Sequence, residues 1–478
     1  MNAAPSYSFV FEDKHCLIDG MNYFVSDSFF DNHEPLDSAW YAPTTSIGRR
    51  PAGGGAKYED VNMLTGRRIN TFLSDGVSTE YHLDAQEIDP DFTPIVKVNG
   101  EVVTQSNVVG TASYNVDYKK GIITFEHFIP STPLTDGQDN VSVEFRKTVP
   151  GYKDAILNCT MLQVFDNRVF VSGNPNYPNV VWHCSLNDPT YFSDLDYYRE
   201  GMDKARVKGM VAGNNALWVF REPSGANTNV FYHTPTLDEE YGKIYPSSHS
   251  SVATGCIGRA INFNDDIVFF SDRGMEGISG DVTTEQMVAH RSTMVDRKLL
   301  AEPEYRNMIL TEWEGYLLVF VGSHVYLADS RTAFTMDDHI EYEWFYWELE
   351  ERVTCAEVID GILYVGTEEG NLFTLTDADA CMDSYWTTPK DRFGYPHMLK
   401  TTNKKGCVAE ASGDVAVYAK TENTEFELIG THENVADYFV SRVKKKKFKD
   451  IQLKFHSNTR FSLESVSLEV FVGAYIKR

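Results

Sequence analysis

The chain has 478 residues, of which 13% are aromatic, and its 29 Phe and 26 Tyr favour pleated sheets over helices. A formal net charge of −26 argues against a surface built mainly to bind nucleic acid phosphates. Seven scattered cysteines without a CxxC pair argue against a disulfide framework or a zinc cluster and indicate buried free thiols. The N-terminus lacks the pattern of a secretion signal, and the longest apolar run is too short to span a membrane.

The first predicted element is a hairpin that recurs along the chain. In each copy a short apolar strand ends in a turn of Asp, Asn, Glu or Gly, and an aromatic strand follows it. The copies lie at residues 16–25, 162–171, 211–220, 261–270, 312–321 and 357–366. The second turn residues of the last five copies are 48, 51, 49 and 46 residues apart, which is the period of a propeller blade. We therefore predict an all-β fold, a six- or seven-bladed β-propeller closed by the N-terminal hairpin together with C-terminal strands.

An insertion interrupts this period, because 147 residues separate the turns of the first two copies. Residues 41–62 contain two prolines and three consecutive glycines, a composition that predicts an extended arm poorly packed against its own chain. The residues that follow alternate with period two between Asp-Gly, Asn-Gly and Lys-Gly turns, which is typical of a β-sandwich. The expected domains are strands and arm over 1–64, an inserted sandwich over 65–148, propeller blades over 149–405 and C-terminal strands over 406–478.

The C-terminal strands carry the most basic segment of the chain, KKKKFK at residues 444–449. We expect it to lie in a strand whose apolar side is buried, so that the lysines on the other side meet an acidic neighbour. The alternative interpretation is that the lysines protect a sheet edge from unwanted pairing. The candidate partner interface consists of Lys444, Lys445, Lys447, Arg49 and Arg50.

No sequence pattern indicates catalysis. The chain contains no HExxH, GxSxG or P-loop motif, and GRRPAGGGAK at residues 48–57 has no strand-to-helix context. We therefore predict no catalytic, cofactor-binding or metal-binding residue, and no enzyme activity.

Two stretches resemble a known family. YAPTTSIGRRPAGGGAKYEDVNMLTGRRINTFLSDGVSTEYHLD (41–84), with VKVNGEVV and VDYKKGIITF after it, looks like the arm and sandwich of tailed-phage structural proteins. FVSGNPNYPNVVWHCSLNDPTYFSD (170–194), followed by ALWVFRE and VFFSDRGMEGISG, resembles the propeller of tail hub or nozzle proteins, also labelled packaged-DNA stabilisation proteins, of short-tailed bacteriophages.

The resemblance implies a structural virion protein of the phage tail, made in the bacterial cytoplasm. It implies a homo-oligomeric ring, which we expect to be a hexamer with an acidic lumen, below the portal and adaptor. Genomic DNA would be retained by the ring and pass through it at ejection without sequence-specific binding. The alternative is a receptor- or glycan-binding tail protein that holds sugar on Tyr177, Trp182 and Tyr191. A propeller hydrolase is a further alternative, for which the sequence shows no convergent carboxylates.

Overall fold

A computed structural model describes residues 7–11, 14–26, 39–47, 57–105, 113–225, 228–239, 242–279, 287–336, 339–375, 383–422, 424–443 and 447–475. The chain divides into two compact units, the first ending at Thr374 and the second beginning at Leu375. Nearly all of the regular structure is β-sheet, as predicted. Within the described residues, no helix is both long and apolar enough to cross a membrane.

The first unit begins with a three-stranded antiparallel sheet, here sheet 1. Its strands, in spatial order, are β1 (Tyr7–Phe11), β2 (Lys14–Ile18) and β3 (Tyr23–Ser26). The predicted N-terminal hairpin is therefore present as β2 and β3. The expectation that C-terminal strands join this hairpin is wrong for the described residues, because its sheet partner is β1.

The next segment forms two sheets around a hydrophobic core of their own. Its strands are β4 (Thr44–Ser46), β5 (Arg67–Phe72), β6 (Glu80–His82), β7 (Ile95–Val98), β8 (Glu101–Val103), β9 (Ser113–Asp117), β10 (Ile122–Glu126) and β11 (Val141–Arg146). One sheet has the order β4-β5-β11-β7-β8 and the other β6-β10-β9. We call this two-sheet segment the insert.

The arm prediction is wrong for the described residues of the arm. Strand β4 pairs in parallel with β5, and Ser46 Oγ donates a hydrogen bond to Asp139 at 2.6 Å. Asn62 is buried, and its amide donates to the carbonyl oxygens of Tyr41 and Thr190 at 2.8 Å each. These long-range contacts offset the backbone entropy that these residues lose on ordering. The proline- and glycine-rich composition had led us to expect no such contacts within the chain.

Five further sheets follow the insert, after a short helix α1 (Tyr152–Leu157) that the sequence analysis did not predict. Sheet 2 contains β12 (Met161–Phe165), β13 (Arg168–Ser172), β14 (Val180–His183) and β15 (Tyr197–Arg199). Sheet 3 contains β16 (Val207–Gly213), β17 (Ala216–Arg221), β18 (Val230–His233) and, beyond a small hairpin of β19 (Thr236–Asp238) and β20 (Gly242–Ile244), β21 (Ser247–His249).

Sheets 4 to 6 repeat the antiparallel pattern in chain order. Sheet 4 contains β22 (Ala260–Phe263), β23 (Asp266–Ser271), β24 (Gly274–Ser279) and β25 (Met287–His290). After a short helix α2 (Asp296–Leu299), sheet 5 contains β26 (Ile309–Trp313), β27 (Tyr316–Val321), β28 (His324–Met336) and β29 (His339–Glu348). Sheet 6 contains β30 (Val353–Ile359), β31 (Ile362–Thr367) and β32 (Leu372–Leu375).

The hairpin turns confirm the turn chemistry predicted from the sequence. A positive φ, which Asn, Asp and Gly tolerate best, occurs at both residues of the first hairpin turn in each of sheets 2 to 6. These turn residues are Asp166, Asn167, Asn214, Asn215, Asn264, Asp265, Glu314, Gly315, Asp360 and Gly361. The spacings of 51 and 49 residues were counted from Asp266 as the second turn residue of sheet 4, and the turn lies one residue earlier, at Asn264-Asp265.

Consecutive sheets of the first unit share hydrophobic cores. One cluster joins sheet 1 to sheet 2, and others join sheets 2 and 3, sheets 3 and 4, and sheets 4 and 5. Sheet 6 meets sheet 5 through polar contacts, among them a hydrogen bond from Thr311 Oγ1 to the Ala356 carbonyl at 3.0 Å. The sheets are therefore stacked in chain order.

The second unit contains β33 (Ser384–Thr387), β34 (Met398–Thr421), β35 (Glu427–Val435), β36 (Tyr438–Ser441), β37 (Ile451–Ser457) and β38 (Ser462–Tyr475). The first half of β34 pairs with β36 and β38, and its second half pairs with β35 and β37. Both halves surround one core. The domain boundary predicted at residue 405 is therefore wrong, because it falls inside a continuous strand.

The cysteine prediction is confirmed for five thiols and wrong for one, and the seventh cysteine, Cys381, lies outside the described residues. The buried cysteines are Cys16, Cys159, Cys184, Cys256 and Cys407. Burial raises the pKa of Cys16 and Cys256 to about 12, so both remain protonated thiols. Cys355, in β30 of sheet 6, is exposed.

Candidate assembly surface

Residues Tyr438 to Asp450, of which 444–446 lie outside the described residues, alternate between buried and exposed side chains. We call this stretch the basic segment. Its buried members are Phe439, Ser441, Val443, Phe448 and Asp450. Its exposed members are Tyr438, Val440, Arg442, Lys447 and Lys449. The segment therefore presents two apolar side chains followed by three cations to solvent.

Phe448 anchors the segment to the core of the second unit. Its side chain is fully buried, and its backbone forms a two-hydrogen-bond bridge with the backbone of Lys400, with N···O distances of 2.7 and 3.0 Å. The Lys400 ammonium is fully buried as well and donates to the carbonyl oxygens of Tyr395, Met398 and Lys449. Burial lowers the pKa of Lys400 below its ordinary value.

Two carboxylates complete the anchoring. Burial opposes ionisation of Glu422, but amide hydrogen bonds from Lys449 and Asp450 outweigh it, and the pKa of Glu422 is lowered. The buried Asp450 carboxylate lies 3.3 Å from Lys390 Nζ and 3.9 Å from Arg392 Nε. The backbone at residues 448–450 is therefore fixed, while the side chains of Lys447 and Lys449 remain in solvent.

The structure describes one of the five predicted interface residues. Lys447 is exposed, as the interface prediction requires, whereas Lys444, Lys445, Arg49 and Arg50 lie outside the described residues. The expectation that the lysines belong to a strand is wrong for Lys447, because β36 ends at Ser441 and β37 begins at Ile451. This part of the chain is held against the core by isolated buried residues such as Phe448, and not by the regular strand pairing that we expected.

Apolar side chains of the second unit are exposed both within the basic segment and outside it. Tyr438 is 63% exposed and Val440 45% exposed on the outer face of β36. Further exposed apolar side chains of this unit are Tyr385, Trp386, Tyr395, Leu428, Phe471 and Val472. Exposed apolar side chains next to cations are typical of protein contact surfaces.

The aromatic residues proposed for sugar binding do not form an open platform. Trp182 is only 4% exposed and belongs to the core between sheets 1 and 2. The Tyr191 ring lies 5.0 Å from the Tyr41 ring, and its hydroxyl donates to the Asp60 carbonyl. Only Tyr177 of the three is substantially exposed. The glycan-binding residues named from the sequence are therefore wrong as a set.

The first unit also holds polar networks that the sequence analysis missed. His290 lies 2.6 Å from an Asp296 carboxylate oxygen and 3.5 Å from one of Glu276, and these carboxylates raise the pKa of His290 to about 9. No spacing motif marks them, because the pairing of β24 with β25 and the start of α2 bring them together. Within the part of the chain that the structure describes, no group of three His, Cys, Asp or Glu side chains could hold a metal ion.

Comparisons with known proteins identify no family. No family model matches the chain, and no curated protein matches it. An exo-β-1,3-galactanase from Phanerochaete chrysosporium is 10% identical over 64% of this chain and 94% of its own, with a TM-score of 0.23. BamB from Moraxella catarrhalis is 11% identical over 64% and 97%, with a TM-score of 0.24. Apo AztD from Citrobacter koseri is 10% identical over 63% and 90%, with a TM-score of 0.25. At these TM-scores the likeness carries no functional argument.

Proposed function

We propose that this chain is a structural protein that assembles with copies of itself into a ring. The observation that carries the proposal is the basic segment, in which Lys447 and Lys449 project from a fixed backbone on a chain of net charge −26. Copies of so acidic a chain repel one another unless cations are placed at their contacts. An anchored cationic segment beside Tyr438 and Val440 fits the acidic surface of a second copy.

The first unit is proposed to be a six-bladed propeller, with sheets 1 to 6 as its blades. The stacking of consecutive sheets in chain order supports this architecture. A contact between distant sheets supports it as well, because Tyr7 of sheet 1 accepts a hydrogen bond from Arg259, which precedes the first strand of sheet 4. Blades one and four face each other in a six-bladed ring.

The proposed place of this ring is the tail of a bacteriophage, as a hub or nozzle of the virion. Its partners would be the portal, the adaptor and other tail proteins, and genomic DNA would pass through its lumen. The sequence resemblance supports this assignment, and the excess of 69 acidic over 43 basic residues suits a lumen wall that repels phosphate. The proposed ring order is six.

The test measures the mass of the purified full-length protein by native mass spectrometry and light scattering. We expect a hexamer at low salt that dissociates as ionic strength rises past ~0.15 M, because exposed ion pairs are then screened. Replacing Lys447 and Lys449 together with Gln should shift the equilibrium toward monomer at every salt concentration.

The matched control replaces Lys119 and Lys120, an adjacent exposed pair in the insert, with Gln. It makes the same charge change outside the basic segment and should leave the mass distribution unchanged. A monomeric wild-type protein at low salt would contradict the proposal. Equal dissociation of both double variants would show that net charge, and not the basic segment, controls assembly.

A further inference from the structure

A cavity of about 310 Å³ lies where the insert joins the rest of the first unit. The two connecting chains run side by side there, and the Lys147 amide donates to the Gly66 carbonyl at 2.7 Å. Residues 61–66 of the entering chain, residues 146–149 of the returning chain, and Tyr152 and Lys153 of α1 line the cavity. Anything bound in it touches both connecting chains at once.

The lining is cationic, in contrast to the chain as a whole. It contains Arg146, Lys147 and Lys153 and includes no Asp or Glu side chain. Arg146 is paired with Asp89 and Asp91, and Lys147 Nζ donates to the Glu87 carbonyl, which leaves that ammonium with further N–H donors. Within the described part of the chain Lys153 has no ion-pair partner, so its charge is available to a ligand.

The guanidinium of half-buried Arg68 lies close enough to Tyr152 to act on it electrostatically, and so adds positive charge near the cavity. Arg68 pairs with Phe145 across β5 and β11, so its side chain leaves the sheet on the core face, and its Nε is buried without a hydrogen-bond partner. Burial and the Asp194 carboxylate raise the pKa of Tyr152, and the nearby Arg68 acts in the opposite direction.

We propose that this cavity binds a small organic anion, a phosphate or carboxylate group attached to an apolar body. Lys153 and Lys147 would hold the charged group. The apolar part would lie against Val61, Met63 and Val149, and the volume exceeds what a bare phosphate fills. A bound anion would crosslink the two connecting chains and stiffen the base of the insert. The site is independent of the proposed ring assembly.

The test titrates full-length protein with phenyl phosphate and, in a second arm, with benzoate, using calorimetry at constant ionic strength. We expect one of the two to bind, which identifies the charged group, and to bind more tightly than inorganic phosphate or acetate. Lys153→Gln should weaken this binding about tenfold or more, because it removes a charged hydrogen-bond donor. Lys97→Gln, an exposed lysine on β7, is the control and should bind as the wild type does.

Hydrogen exchange of the wild-type protein gives a second readout that does not depend on a variant. Saturation with the bound compound should slow exchange of the amides at 61–66 and 146–149 and leave strands β9 and β10 unaffected. The proposal is overturned if neither phenyl phosphate nor benzoate binds, if Lys153→Gln binds as tightly as wild type, or if protection appears elsewhere.

Discussion

The buried pair of Glu200 and His233 offers a quantitative test of how sheets 2 and 3 are joined. Both side chains are fully buried, and His233 Nε2 lies 2.8 Å from Glu200 Oε1. His233 Nδ1 lies 2.9 Å from the Tyr245 carbonyl, which can only accept, so Nδ1 carries a proton. Ser247 Oγ donates to the other Glu200 oxygen at 2.7 Å. Every polar atom of the pair therefore has a partner.

Glu200→Ala would leave His233 Nε2 and the Ser247 hydroxyl without partners in a site that excludes water. Breaking a buried pair in this way costs about 3–5 kcal/mol. Glu200→Gln is the matched control, since its amide can donate to neutral His233 and accept from Ser247, and it should cost only about 1 kcal/mol. With an m-value of about 3 kcal/mol/M, the alanine variant should unfold at a urea concentration about 1 M or more below wild type.

Urea unfolding followed by tryptophan fluorescence measures this difference, because Trp218 of sheet 3 is fully buried. The first transition of each variant is compared with that of wild type at neutral pH. If Glu200→Ala costs no more than Glu200→Gln, the pair does not hold the two sheets together and the reasoning fails.

Two further predictions concern other sites. Glu276 and Asp296 hold the pKa of His290 at about 9, above the ordinary value near 6.5, so this stabilisation is complete below pH 6.5 and is lost as pH rises through 9. Urea midpoints measured across this range should fall for wild type more than for His290→Gln, and parallel curves would contradict the assignment. Phe448→Ala should destabilise the second unit by about 3–5 kcal/mol in calorimetry, whereas Lys447→Gln should stay within about 0.5 kcal/mol, and equal effects would refute the anchoring role.

Local turn chemistry made much of the strand pattern predictable. A turn such as Asp166-Asn167 adopts positive φ because its own residues tolerate that conformation. The hairpin can therefore be predicted from the sequence without knowing which residues pack against it. The recurrence of such turns at a nearly constant spacing predicted the repeated sheets for the same reason. The short parallel strand β4 was not predicted, because it is stabilised by pairing with β5, more than twenty residues away. The residues Thr44–Ser46 themselves carry no strand signal.

Exposure and polar pairing were less predictable, because both depend on contacts between distant segments. The sequence around Trp182 does not indicate that sheet 1 packs on this side chain, so we expected it to be available for a ligand. Glu200 directly follows β15 of sheet 2 and His233 ends β18 of sheet 3, and nothing in either neighbourhood indicates a partner 33 residues away. The lysines marked the basic segment in the sequence. Its backbone conformation could not be predicted, because it depends on a hydrogen bond from the buried ammonium of Lys400.

The contact of Tyr7 with Arg259 links positions 252 residues apart, and this has a consequence for synthesis on the ribosome. Tyr7 emerges before Arg259, which follows only after the insert and sheets 2 and 3 have been made. Translation proceeds at about 5–20 residues per second, so the N-terminal strand waits about 12–50 seconds for this contact. Because the insert has its own core, it can fold during that interval. The contact of sheet 1 with Arg259 then forms after the insert, which follows sheet 1 in the sequence, has folded.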